Sequence, residues 1–136
     1  MSDREPLDPA APLFRKVDAI EIAVPSLEEG LAFYRDRLGH ELVWRRGTSA
    51  GLRMPDTDAE LVLQSERDGL HVDFLVGDAD EAADHFAAQG GRIAVSPFDI
   101  PIGRCAVVED PWGNRLVLLD MRRGPLKTDG SGNVIQ

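Results

Sequence analysis

Four polar side chains lie in strand-like apolar runs of this 136-residue chain, and their types could do chemistry. Glu21 lies in VDAIEIAV (residues 17–24), Gln64 in ELVLQSE (60–66), and His71 and Asp73 in LHVDFLV (70–76). Strand alternation puts Glu21 on the same face as Ala19, and Asp73 on the same face as His71. Such a set suits acid–base chemistry, with Asp73 orienting His71 as a general base and Glu21 acting as the partner acid. Two neighbouring carboxylates would also push one pKa up, which favours proton transfer near neutrality. The same four residues could instead hold a displaced divalent ion. A third reading places them at a cavity mouth or an interface, paired with Arg45, Arg104 or Arg115. That structural or ligand-contacting role is the leading expectation.

A duplicated unit must position them. In residues 17–24, Ile20, Ile22 and Val24 share one strand face, and Ala19, Glu21 and Ala23 the other. Ser26-Leu27-Glu28-Glu29 reads as a capping box. Leu27, Leu31, Tyr34 and Leu38 then form one helical stripe, which Gly39 ends. Adding 52 to these numbers returns the pattern. Residues 70–76 are the strand, Asp78-Ala79-Asp80-Glu81 the acidic helix start, Ala79, Ala83 and Phe86 the stripe, and Gly90-Gly91 the stop. Further strands are expected over residues 42–46, 51–54 and 60–66 in the first copy, and over 93–95, 103–109 and 115–120 in the second. Asp110-Pro111-Trp112-Gly113-Asn114 reads as the tight turn of the last hairpin. The order is β-α-β-β-β, twice, and helices with such narrow stripes cover one sheet face only. The other face is where a ligand would be met. The segment 96–103 (SPFDIPIG) is expected to be a loop folding over the cavity.

Bulk properties narrow the class. The composition, 43% hydrophobic and 29% charged, is ordinary for a soluble globular domain. A net charge of −9 argues against a nucleic-acid partner, which needs a basic face. No apolar run is long enough to span a membrane, and no signal-like segment opens the chain. Cys105 is the one cysteine, so an internal disulfide is impossible and a cytoplasmic setting is expected. In its apolar run it reads as a small hydrophobe.

Residues 17–42 (VDAIEIAVPSLEEGLAFYRDRLGHEL) and 107–120 (VVEDPWGNRLVLLD) resemble the vicinal oxygen chelate superfamily, which includes glyoxalase I, extradiol dioxygenases, fosfomycin resistance enzymes and bleomycin resistance proteins. The Phe33-Tyr34-Arg35-Asp36 and Leu38-Gly39 signature, joined to Asp110–Asn114, carries the resemblance. It implies an α+β fold in which two tandem βαβββ modules form curved mixed sheets around a shared pocket, usually in a homodimer. It also implies that the four metal-ligand positions of the family fall at Ala19, Gln64, His71 and Val117. Only His71 is a strong donor there, and a stable site needs three or four.

The chain is therefore read as one domain: an arm over residues 1–16, modules over 17–66 and 67–121, and a flexible tail over 122–136. The expected function is binding of a small organic ligand without a metal, as in bleomycin-type resistance proteins. Ala19, Gln64, Leu75, Val117 and Leu119 would line the pocket, and Trp44 and Phe98 would form an aromatic wall. The alternative is a glyoxalase-like lyase, isomerase or dioxygenase. In it Glu21, His71, Asp73 and Gln64 would move a proton or hold Zn, Ni, Mn or Fe.

Overall fold

The computed structural model describes residues 11–135, so the expectation for the first ten residues of the arm lies outside the described residues. The chain divides into two compact units, residues 18–71 with 126–135, and residues 11–17 with 72–125.

The first unit contains β1 (Lys16–Ala23, in register with β4 from Ala19 onward), α1 (Leu27–Leu31), β2 (Leu42–Arg46), β3 (Ser49–Met54) and β4 (Thr57–Gln64). Its strands lie in the order β2-β3-β4-β1, with β1 parallel to β4 and the other pairs antiparallel. Ser26 caps α1, its Oγ accepting from the Glu29 backbone N–H at 3.2 Å and donating to the Glu29 carboxylate at 3.0 Å. Leu27 and Leu31 bury against Ala50, Leu52, Leu61 and Leu63, joined by Ile22 from β1 and by Val24 just beyond its end. Beyond Leu31 the helix widens into a π-helical segment, Ala32–Arg37. The Leu38 N–H reaches back five residues to Phe33. The wider turn shifts the phase of the side chains, so Leu38 leaves the expected stripe and is exposed. Gly39 then closes the segment at φ 86°.

The second unit repeats the plan with β5 (His71–Leu75, unpaired to β8 only at its start), α2 (Ala79–Ala88), β6 (Arg92–Ile100), β7 (Gly103–Glu109) and β8 (Arg115–Leu119). The order is β6-β7-β8-β5, and β5 is parallel to β8. Asp78 caps α2 by accepting from the Glu81 N–H at 3.0 Å. The alanines at 79, 82 and 83 let this helix lie close on Val76, Ala106, Val108 and Leu118. Leu13 and Phe14 pack on the same cluster, with Phe14 stacked on Phe74 at 4.4 Å. The fold is thus α+β with two βαβββ modules and mixed sheets.

Two segments differ from expectation. Residues 96–100 are strand and not a loop over a cavity: they complete β6. The strand register shifts between Val95 and Phe98. β6 is the outer strand of its sheet, so the missing N–H of Pro97 interrupts no inner ladder. The tail contributes a small hairpin, β9 (Lys127–Thr128) with β10 (Val134–Ile135). It closes on Asp129, whose carboxylate accepts from the N–H groups of Ser131 and Asn133. Asp110 makes the same bonds to Trp112 and Asn114 at the β7–β8 turn, and a left-handed glycine (Gly113, Gly132) sits at the same place in each. The Arg45 N–H donates to the Gly132 carbonyl at 2.8 Å, which ties the hairpin to β2. Among the described residues no helix is long and apolar enough to cross a membrane.

Candidate functional site

In the first unit α1 covers the face carrying Ile22, Val24, Leu61 and Leu63. Alternation therefore leaves Ala19, Glu21 and Ala23 of β1 on the helix-free face. Their register partners there are Glu60, Val62 and Gln64 of β4. Gly51 of β3 pairs with Val62 and, across the next ladder, with Trp44 of β2. A Cβ at Gly51 would lie 2.0 Å from Trp44 Nε1, so only glycine lets the indole lie over the sheet. That indole N–H donates to Glu60 Oε1 at 2.7 Å. Burial raises the Glu60 pKa above the usual glutamate value, and the charge of Asp18 adds to the rise. The Trp44 N–H and Arg53 counter only part of that rise. A cavity of about 130 Å³ beside it is lined by Val43, Arg53, Met54, Asp58, Ala59 and Glu60. Sequence reasoning missed Glu60 as a functional candidate. Its one readable signal was a carboxylate sharing a strand face with Gln64.

Three of the predicted residues converge on the turn after β4. Gln64 is 3% exposed, and its amide oxygen accepts from the N–H groups of Glu66 and Arg67, both at 2.8 Å. Its amide nitrogen donates to the Arg67 carbonyl at 2.7 Å. Glu21, 6% exposed, is ion-paired with the Arg67 guanidinium. His71 Nε2 donates to the Asp68 carbonyl at 3.0 Å, a carbonyl being able only to accept, so this nitrogen carries the proton. The arginine expected beside these residues is therefore Arg67, and none of the three named from sequence. Arg45 pairs with Glu28, Arg104 with Asp80 and Asp99, and Arg115 with Glu109.

In the second unit the helix-free face is apolar apart from Asp73. Leu75, Cys105, Val107, Val117 and Leu119 cluster there with Ile100 and Ile102. Asp73 is buried at 7% exposure, in register with Val117. Phe98 pairs in register with Cys105. The Cys105 side chain is buried in this cluster.

A second polar centre lies at the start of α2. Asp120 is almost wholly buried and accepts from the Ala79 N–H at 2.8 Å and the Arg104 N–H at 3.1 Å. Arg122 bridges Asp120, Asp78 and Asp80. Burial alone would raise the Asp120 pKa, but the Arg122 side chain and the backbone N–H groups of Ala79, Arg104 and Arg122 hold it below the usual carboxylate value. A Cβ at Gly103 would meet Asp120 oxygens at 2.4 Å, so β7 can approach this carboxylate only through glycine. The buried Asp120 and the Asp78 cap tie the start of α2 to the sheet, which is a structural role.

The residues at the four positions where the resemblance places metal ligands do not fit a metal ion. Ala19 and Val117 carry no donor, and the Gln64 amide is engaged on both atoms by the turn. His71 alone offers a nitrogen. Among the described residues no group of three or more His, Cys, Asp or Glu is arranged to hold a metal.

Comparison with known proteins agrees with this architecture. Residues 16–118 match the model of the Glyoxalase/Bleomycin resistance protein/Dioxygenase superfamily. A stretch of 44 residues, 32% of this chain, is 52% identical to CFP32 of Mycobacterium tuberculosis, provisionally named a glyoxylase. The matched stretch spans 17% of that protein's length. Among solved structures, methylmalonyl-CoA epimerase from Mycobacterium tuberculosis superposes with a TM-score of 0.70 at 21% identity, over 82% of this chain and 91% of that one. The Streptomyces coelicolor epimerase, in complex with 2-nitronate-propionyl-CoA, gives 0.68 at 22% identity, over 79% and 94%. A variant of homoprotocatechuate 2,3-dioxygenase from B. fuscum gives 0.58 at 25% identity, over 84% of this chain and 35% of that one.

Proposed function

Because the chain belongs to the glyoxalase/bleomycin resistance protein/dioxygenase superfamily, we propose that it binds a small organic ligand on its helix-free sheet faces, using its own side chains in place of a metal ion. One observation carries this reading. Two of the four metal positions are aliphatic and a third is an amide already engaged by its own turn. What is left is an apolar floor within each unit (Ala19, Ala23 and Val62 in the first; Leu75, Val117 and Leu119 in the second) with a few fixed polar groups, the usual make-up of a small-molecule site. Trp44 supports the reading by adding an aromatic surface to the floor.

Metal analysis of protein purified without chelator, with Zn, Ni, Mn and Fe titrated back, tests it. Binding well below one equivalent is expected. One bound equivalent that is lost in His71→Ala would overturn the metal-free reading.

One observation favours a second reading, acid–base turnover of the bound ligand. Glu60 lies on the same floor with its pKa raised by burial, so its protonated form is available nearer to neutral pH than an exposed glutamate's. Turnover of a candidate substrate that disappears in Glu60→Gln, with ligand affinity unchanged, would establish it. A homodimer in a reducing cytoplasm belongs to the same proposal, and a sedimentation mass twice that of the 136-residue chain is expected.

A further inference from the structure

Arg67 is held by two buried polar side chains that sit on the floor of the helix-free face, one at its guanidinium and one at its backbone. Glu21 pairs with its Nη2, and Gln64 fixes the Arg67 backbone through both its N–H and its carbonyl. Stability is a poor explanation for this arrangement. Taking a carboxylate out of water costs several kcal/mol, and a partner that stays half in water returns little of it. Arg67 is that kind of partner, with a side chain 51% exposed. An apolar pair would serve the fold as well. What the arrangement does produce is a guanidinium tethered to the helix-free face through Nη2, with Nε and Nη1 making no hydrogen bond among the described residues.

We propose that Arg67 is the clamp for the ligand's carboxylate. The proposal rests on the ligand-binding reading above. A guanidinium edge presents two parallel N–H donors that match a carboxylate fork. Beside it, Ala19, Ala23 and Val62 form an aliphatic floor, with the Trp44 indole over Gly51 further along the same face. The ligand class is therefore a small organic acid with a flat or apolar body. Glu21 sets the direction of the guanidinium without consuming its other edge, and Gln64 sets where the side chain begins.

The test is titration of the full-length protein with benzoate and phenylpyruvate, and with benzamide as the uncharged counterpart of benzoate. Binding is followed by NMR on the Arg67 side-chain Nε–Hε signal and on the backbone signals of Ala19, Val62 and Trp44. Both acids should shift the Arg67 signal, benzamide should not, and added salt should weaken the effect. Arg67→Gln should weaken benzoate about tenfold or more, and Arg67→Lys, which keeps the charge but loses the fork, by a smaller factor. Since Arg67→Gln strands a buried carboxylate, the pair Glu21→Gln with Arg67→Gln is the folded control and should lose benzoate to the same degree. If benzamide moves the floor signals as well as benzoate does, and the Arg67 variants bind benzoate like the parent, the clamp is overturned while the binding reading stands. If no probe moves any floor signal, both fall.

Discussion

Gly51→Ala tests the contact that shapes the aromatic part of the floor. The added Cβ would lie 2.0 Å from Trp44 Nε1, 2.5 Å from Cε2 and 2.6 Å from Cδ1. Ordinary contact needs roughly 3.5 Å, so the indole must move by about an ångström or more. The bond from Nε1 to Glu60 Oε1, now 2.7 Å, cannot survive that displacement. A bond to a charged acceptor contributes about 1.5–3 kcal/mol, and the lower end applies because Glu60 is only partly buried. Overpacking adds about 1–3 kcal/mol. Against both, replacing glycine by alanine restricts the unfolded chain and returns about 0.4–1 kcal/mol. The expected net is a loss of about 2 kcal/mol, read by urea unfolding followed with far-ultraviolet circular dichroism. In a Trp44→Ala background the same change meets open space and should be neutral or slightly stabilising, so the coupling between the two sites should be about 2 kcal/mol. In a Trp112→Phe background, where Trp44 is the sole tryptophan, Gly51→Ala should also shift the emission to the red. Trp112 is 83% exposed, so removing it should leave the fold intact. Equal cost of Gly51→Ala with and without Trp44 would refute the reasoning.

Two further outcomes follow from the same packing. The Glu60 pKa is higher in the fold than in the unfolded chain, because burial and then Asp18 disfavour the ionised form. As pH rises through the ordinary glutamate value, the unfolded state loses its proton first, so this residue makes the fold less stable until the folded value is passed. Glu60→Gln keeps an acceptor for Trp44 and removes that penalty. It should therefore be more stable than the parent at neutral pH, with the gap closing below about pH 4, and a gap constant across the range would count against the account. Gly103→Ala forces a Cβ to within 2.4 Å of the Asp120 backbone oxygen, which cannot swing aside as a side chain can. It should cost about 3 kcal/mol in chemical denaturation, and a loss below 1 kcal/mol would mean β7 approaches Asp120 less closely than described here.

Much of this protein was legible because local chemistry repeats. Ser26 and Asp78 have the side chains that accept from a helix's first N–H groups, and both caps formed. Asp110, Gly113 and Asn114 specify their turn within five residues, and alternation placed Glu21 and Gln64 on the helix-free face. Where the outcome depended on phase, sequence periodicity was insufficient: the stripe through Leu38 assumed a regular helix, and one π-helical segment rotated that residue out to solvent. The prolines of residues 96–103 suggested a loop, yet an outer strand tolerates a residue that cannot donate.

The sequence by itself determined the two βαβββ modules with their caps and turns, because each depends on residue type and near-neighbour spacing. Only the tertiary structure decided which arginine answers Glu21, which carboxylate is desolvated, and why Gly51 must be glycine. Arg67 lies 46 positions from Glu21, and Trp44 lies 16 from Glu60. These pairings arise from strand register and from a turn folding back on its own sheet, and no local rule in the sequence encodes a contact made by the closure of the chain.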